Sequence, residues 1–232
     1  MFQFQQFTIH DDRCAMKVGT DGVLLGAWVE LGDARRVIDV GCGSGLVALM
    51  LAQRFPDVQV VGIEIDEDAA EQAEENIKAS PFAKQIEVHA ANFFQMDLDE
   101  ASVDAIVSNP PFFQETLVSP DAQRAIARHA TDGFTFPEFV KESARLLCEG
   151  GSLQVILPTS AKDAFHQECN LHNLVLERQT MVKTVERKAP KRVLLHFRKS
   201  LRAVPVTHTE LTLSRDGVRS EEYTTLCRDF YL

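Results

Sequence analysis

The 232-residue chain has no long hydrophobic run: nothing in it approaches the ~18 consecutive apolar residues of a membrane span. Its N-terminus, Met1-Phe2-Gln3-Phe4-Gln5-Gln6, has neither a basic start nor a continuous apolar segment. No secretory leader is therefore expected, and a cytoplasmic location is. There are only five cysteines, at 14, 42, 148, 169 and 227, and no two form a Cys-x-x-Cys pair. An odd number of scattered thiols in a chain of this size points to a reducing compartment, not to a disulfide framework. His166, Cys169 and His172 recur every three residues. No fourth ligand is nearby in sequence, so they read as a polar helix face and no metal is expected. Cations are in deficit: 24 Lys and Arg against 34 Asp and Glu leave a formal charge of −10. A surface that receives a polyanion must then be a local basic patch. Repeats, low-complexity tracts and linkers are all missing. Residues 1–232 are expected to form one domain, with a strand-and-helix extension over about 1–36.

What the chain does contain is an alternation. Val37-Ile38-Asp39-Val40 is an apolar run with one acid, Gly41-Cys42-Gly43-Ser44-Gly45 is a glycine turn, and Leu46, Leu49, Met50 and Leu51 follow at helical spacing. That order predicts a buried strand, a tight turn and a helix. Further strands are expected at Val58–Asp66, Ile86–Ala90, Asp104–Ser108, Ser152–Leu157, from Leu174 to Thr180, and at 193–197. Helices are expected to about Arg54, over 67–79, at about Pro137–Cys148 and at about 160–171. Alternating strands and helices give an α/β fold, a parallel sheet with helices on both faces. At the ends, residues 2–9 alternate as a short strand or hairpin. Thr20 or Asp21 is positioned to cap a helix reaching Trp28, and Glu149-Gly150-Gly151 reads as a turn. The tail alternates weakly from Thr207 and reads helical from Ser220 to Tyr231. Residues 113–136, with Arg124, Arg128 and His129, show no period, and so long a loop is usually functional or mobile.

Polar groups recur at the strand ends, where ligands bind in open parallel sheets. Glycines at 41, 43 and 45 permit positive φ and let a ligand approach bare backbone. Their Gly-x-Gly-x-Gly spacing is not the dinucleotide fingerprint Gly-x-Gly-x-x-Gly, and Asp39 would repel a pyrophosphate. An acid there suits a ligand with an ammonium group and hydroxyls. Glu64, 25 residues after Asp39, ends the second strand and can accept two hydrogen bonds from a ribose diol. Asp66, one step further on, is the weaker candidate. Asn92 ends the third strand, and its amide can meet an adenine edge. The fourth strand ends in Asn109-Pro110-Pro111-Phe112. An exocyclic NH₂ is a poor nucleophile while its lone pair is delocalised. Acceptance of its two N–H bonds by the Asn109 side chain and the Pro110 carbonyl would aim the lone pair outward. The prolines stiffen that backbone, and Phe112 supplies a ring for stacking. Lys183, Arg187, Lys188, Lys191 and Arg192 place five cations within ten residues, the densest basic cluster of an acidic chain. They read as an RNA-backbone contact, extended by Arg13 and Lys17 near the N-terminus.

The glycine loop resembles that of Rossmann-like S-adenosylmethionine-dependent methyltransferases. Three further stretches narrow the resemblance: the block from Asp11 to Trp28, Ser108-Asn109-Pro110-Pro111-Phe112, and Arg192-Val193-Leu194-Leu195. Together they resemble the bacterial tRNA (adenine-N6)-methyltransferases that act on a valine tRNA. The resemblance extends from about Phe7 to the Tyr223–Leu232 tail. It implies a seven-stranded, mostly parallel sheet with an antiparallel last strand. It also implies S-adenosyl-L-methionine as cofactor and tRNA as partner, with N6-methylation of the adenine just 3′ of the anticodon, adenine-37. Asn109-Pro110-Pro111-Phe112 would be the catalytic set. Thr20, Ile65 and Phe93 join Asp39, Gly41, Gly43, Gly45, Glu64, Asn92 and Asn109 as cofactor positions. No membrane, metal or obligate protein partner is implied. Two positions depart from the family pattern: Phe112 stands where tyrosine is frequent, and Asn92 where an acid is usual.

Three other readings compete. A protein glutamine amide methyltransferase shares the Asn-Pro-Pro motif but would normally bring an N-terminal helical domain, and only about 36 residues precede the first core strand. A nicotinamide-dependent oxidoreductase is opposed by the glycine spacing and Asp39. A non-catalytic RNA-binding module would not need the Asn-Pro-Pro-Phe motif.

Overall fold

The computed structural model describes residues 1–110 and 134–232. A two-stranded hairpin, β1 (Phe2–Gln3) with β2 (Thr8–Ile9), opens the chain. The main sheet comprises β3 (Arg36–Val40), β4 (Gln59–Glu64), β5 (Ile86–Ala90), β6 (Val103–Ser108), β7 (Leu147–Pro158), β8 (Leu174–Val185), β9 (Arg192–Lys199), β10 (Thr207–Arg215) and β11 (Val218–Arg219). Its order is β11-β10-β8-β9-β7-β6-β3-β4-β5. Strands β3 to β7 are mutually parallel, and β9 runs antiparallel to both β7 and β8. It follows that β8 points the same way as β7, and β10 continues parallel to β8. The carboxyl ends of β3, β4, β6, β7, β8 and β10 therefore share one edge.

The described helices are α1 (Thr20–Trp28), α2 (Leu46–Arg54), α3 (Glu67–Lys78), α4 (Phe136–Leu146), α5 (Lys162–Leu171) and α6 (Glu221–Cys227). Side chains alternate across a strand, so each strand feeds two cores. Val37 joins the cluster formed with α1, α2, α3 and α6, while Ile38 and Val40 join the one formed with α4 and α5. Helix starts follow from local chemistry. Asp66 accepts the Ala69 amide at 3.2 Å, with Glu67 and Asp68 in the first turn of α3 and Lys78 in its last, which suits the helix dipole. Thr135 accepts the Glu138 amide at 3.3 Å to start α4. The two chain ends meet: the Gln5 amide donates to the Phe230 carbonyl at 2.9 Å, and Phe4 stacks between Phe7 and Tyr231.

Several expectations are corrected. Among the described residues the sheet has nine strands, not seven. Seven, β3 to β9, form the expected core, with β9 as its antiparallel member, and β10 and β11 extend it because the tail pairs with β8. Strand β4 stops at Glu64, since Asp66 is occupied as the cap of α3. Neither Thr20 nor Asp21 caps α1. Gly19 is the N-cap and makes no side-chain bond, while Asp21 pairs with Arg192. Glu149-Gly150-Gly151 is not a turn between elements but an irregularity within β7, where the register to β6 shifts between Val103 and Ala105. Helix α6 ends at Cys227, four residues early. Ser220 is its N-cap, and the Ser220 hydroxyl accepts the Tyr223 amide at 3.1 Å. Cys169 does not share a polar face with His166 and His172. It is fully buried against the sheet, and His172 lies beyond the end of α5, beside Glu168.

Candidate active site at the carboxyl edge of the sheet

The glycine turn between β3 and α2 lies on this edge between the ends of β6 and β4. Gly41, Gly43 and Gly45 have φ of +70°, +54° and +81°, a region that side chains with a Cβ rarely enter. Gly45 is packed down, because a Cβ on it would sit 3.4 Å from Ala73 and Ile77 of α3. Among the described residues nothing lies within 4 Å of a Cβ built on Gly41 or Gly43, so their bare backbone is uncovered by them.

The two acids near the turn do different work. Asp39 is 1% exposed, and its Oδ2 accepts the Ala48 amide of α2 at 3.1 Å. It thus satisfies one of the amides that a helix start leaves unpaired. Burial, opposed by that bond and reinforced by the charge of Glu64, raises its pKa to about 7. Asp39 acts on the loop from below and does not line the cleft. Glu64 does line it. Its Oε2 accepts the Gly43 amide at 2.9 Å and its Oε1 the Asp66 amide at 3.0 Å. A carboxylate has about four acceptor positions, and the described amides use two of them.

Beside Glu64 the cleft is mostly apolar. Ile65, Asn92, Phe94 and Phe134 line it together with Phe93. Asn92 caps the turn over Phe93–Gln95, its Oδ1 accepting the Phe94 amide at 2.9 Å. Phe93 is mostly core, 4% exposed and set against Phe139. Phe94 and Phe134, whose ring centroids are 5.8 Å apart, are the wall residues that sequence reasoning missed. Phe94 follows an expected site residue directly, which was a usable signal. Phe134 is brought in from far along the chain and had none. Thr20 is exposed at the start of α1 and is not among the cleft residues.

On the other side of the turn, Val40 pairs with Ser108, whose hydroxyl donates to the Val40 carbonyl at 2.8 Å. Asn109 therefore leaves β6 next to Gly41. Its Oδ1 is buried and accepts no hydrogen bond among the described residues. A buried acceptor left without a donor costs roughly 1–3 kcal/mol. Pro110 is buried beside it. Pro111 and Phe112 lie outside the described residues, as do Arg124, Arg128 and His129.

The basic positions separate. The β8–β9 connection projects from the same edge, because β8 ends there. At its tip Arg187, Lys188 and Lys191 are exposed, and among the described residues none has an ion-pair partner. Lys183 instead pairs with Glu210 at 2.7 Å and Arg192 with Asp21 at 2.7 Å. Arg13 is held by Glu71 and Glu75 of α3, and the Lys17 ammonium donates to the Asp11 and Asp12 carbonyls.

A mostly parallel sheet of this order, with a glycine turn after β3 and an acid on the neighbouring strand end, defines the Rossmann-like methyltransferase class. The fold matches a predicted O-methyltransferase from Agrobacterium tumefaciens with a TM-score of 0.71 over 90% of this chain and 96% of that one, at 18% identity. Residues 17–186 match the methyltransferase small domain family, and the chain belongs to it. It is 45% identical to a tRNA1(Val) (adenine(37)-N6)-methyltransferase of Phocaeicola vulgatus, over 100% of this chain and 97% of the relative. The same identity and coverage relate it to the protein of that name in Bacteroides thetaiotaomicron.

Proposed function

We propose that this chain transfers a methyl group from S-adenosylmethionine to N6 of adenine-37 in a valine tRNA. The class of reaction and the substrate are supported by the names of relatives that match along the whole chain. The observation that carries the chemistry is the buried, unpaired Asn109 Oδ1 beside the glycine turn.

The cleft suits the cofactor. Glu64 has acceptor capacity for the ribose hydroxyls, the Ile65–Phe94–Phe134 walls suit a flat base, and the open backbone at Gly41 and Gly43 admits the amino-acid portion. Gly45 and Asp39 hold the loop from beneath. When bound, S-adenosylmethionine supplies an electrophilic methyl group on sulfur and departs as S-adenosylhomocysteine. Asn109 Oδ1 accepts one N6–H of the adenine and the Pro110 carbonyl the other. The nitrogen lone pair is thereby turned toward the methyl carbon. As the N–C bond forms, positive charge grows on nitrogen, and the same two acceptors stabilise it. The surplus proton leaves to water. A base stacked in an anticodon loop must swing out to reach such a site, and Phe112 is the proposed stacking partner. The exposed cations at the β8–β9 tip meet the tRNA backbone.

The test incubates the protein with S-adenosylmethionine and unmodified tRNA, then maps methylated nucleosides by mass spectrometry. N6-methyladenosine at position 37 of valine tRNA is expected. Methylation elsewhere, or none with folded protein, overturns the reading.

A further inference from the structure

Asn76 of α3 is 2% exposed and has every hydrogen-bonding group of its amide in use. Its Oδ1 accepts the His10 amide at 2.9 Å, and its Nδ2 donates to the His10 carbonyl at 2.7 Å. The second Nδ2 hydrogen goes to the Ser44 carbonyl, in the glycine turn, at 2.9 Å. One side chain therefore joins the N-terminal segment to the cofactor loop. The junction is reinforced one helical turn earlier, where Gln72, 3% exposed, accepts the Arg13 amide at 3.3 Å. The segment then closes on itself: Asp11 accepts the Val18 amide at 2.9 Å, and Lys17 holds the Asp11 and Asp12 carbonyls. It continues into α1, whose Asp21 grips Arg192 at the base of the basic hairpin. An unbroken set of contacts thus leads from the turn at Ser44, through Asn76 and residues 10–21, to the cations proposed to meet RNA.

Residue type at this position is strict. The site needs two donors and one acceptor in a small planar group. Alanine leaves the buried Ser44 carbonyl and the part-buried amide and carbonyl of His10 without their partner. Aspartate, of the same shape, sets a carboxylate against two carbonyls.

We infer that Asn76 is a positioning residue that couples occupation of the cofactor loop to binding of tRNA. This rests on the reading that the glycine turn holds S-adenosylmethionine and that the hairpin edge holds tRNA. Binding that orders the loop also orders the segment through Asn76, and the reverse holds by linkage.

The test measures S-adenosylhomocysteine binding by calorimetry with and without saturating tRNA. In the parent, tRNA is expected to tighten cofactor binding about fivefold to tenfold, within the usual range of coupling between sites. In Asn76→Asp that factor is expected to fall to about one, with both ligands still bound singly. Gln72→Leu, which keeps the helix and its packing, is expected to give a smaller loss of coupling. Mapped thiol labelling guards against a folding artefact. Cys14 and Cys42, one on each side of the junction and both buried, should label faster in Asn76→Asp, while Cys169 in the opposite core should not. If all three label faster, the Gln72→Leu result decides, and unchanged coupling in it overturns the inference. Parent-like coupling in Asn76→Asp overturns it, as does a parent that binds both ligands without coupling. A parent that binds neither ligand instead refutes the functional reading beneath it.

Discussion

The carboxylate of Asp39 caps α2 through the Ala48 amide, 3.1 Å away, and is itself almost wholly enclosed. Its position at the end of β3 suggests a ligand contact, but its hydrogen bond faces the helix. With its pKa raised to about 7, the folded protein keeps a proton that the unfolded chain releases near pH 4. Stability contributed at this site is therefore full below about pH 4 and is lost as pH rises to about 7. Asp39→Asn keeps an oxygen for Ala48 and cannot titrate. Relative to it, the parent is expected to lose on the order of 2–4 kcal/mol between pH 4 and pH 7.5. Denaturant titrations across that range check this, and parallel curves for the two proteins would reject it.

Glu64 holds Gly43 and Asp66 while facing the cleft, so its removal has two consequences. Glu64→Ala is expected to weaken S-adenosylmethionine binding by roughly 1–3 kcal/mol and to lower the melting temperature together. Calorimetry and thermal unfolding on one preparation measure both. Unchanged affinity in a folded variant removes Glu64 from the cofactor set.

Asn109→Ala removes the buried acceptor and little else, since its Oδ1 supports no other described residue. Single-turnover methylation should slow on the order of a hundredfold or more, with cofactor affinity nearly unchanged. Phe112→Tyr should retain activity and Phe112→Ala should lose roughly 1–3 kcal/mol of base stacking. A parent-like rate in Asn109→Ala would refute the proposed chemistry.

The basic cluster divides into free and neutralised charges. Replacing Lys188 and Lys191 with glutamine should flatten the salt dependence of tRNA binding by about one phosphate contact each. Lys183→Gln should leave the slope nearly unaltered, because Glu210 already sits 2.7 Å from that ammonium. Equal effects from all three would show that the ion pair opens when RNA binds.

The alternation of apolar runs and helical stretches determined the α/β class by itself, because a buried parallel strand leaves little choice of residue. The glycine spacing did the same for the turn, since glycine adopts the positive φ found at all three positions without steric cost. The polar ends of β3, β4 and β6 were also legible, since strand direction alone carries Glu64 and Asn109 to one edge. Tertiary structure decided what each polar group does there. Whether an acid faces a ligand or a helix start depends on how far along the sheet edge it sits: Asp39 and Glu64 share one side of the sheet, but Asp39 is level with Gly62, two residues short of Glu64, and meets α2 instead of the cleft. Whether a cation is free depends on carboxylates that the fold brings from far away in sequence, as Glu210 and Asp21 show. The pairing of β10 with β8, the arrival of Phe134 beside Phe94, and the three-way grip of Asn76 all join residues distant in the chain. Nothing in local pattern encodes them, because their stability comes from contacts that exist only once the sheet has assembled.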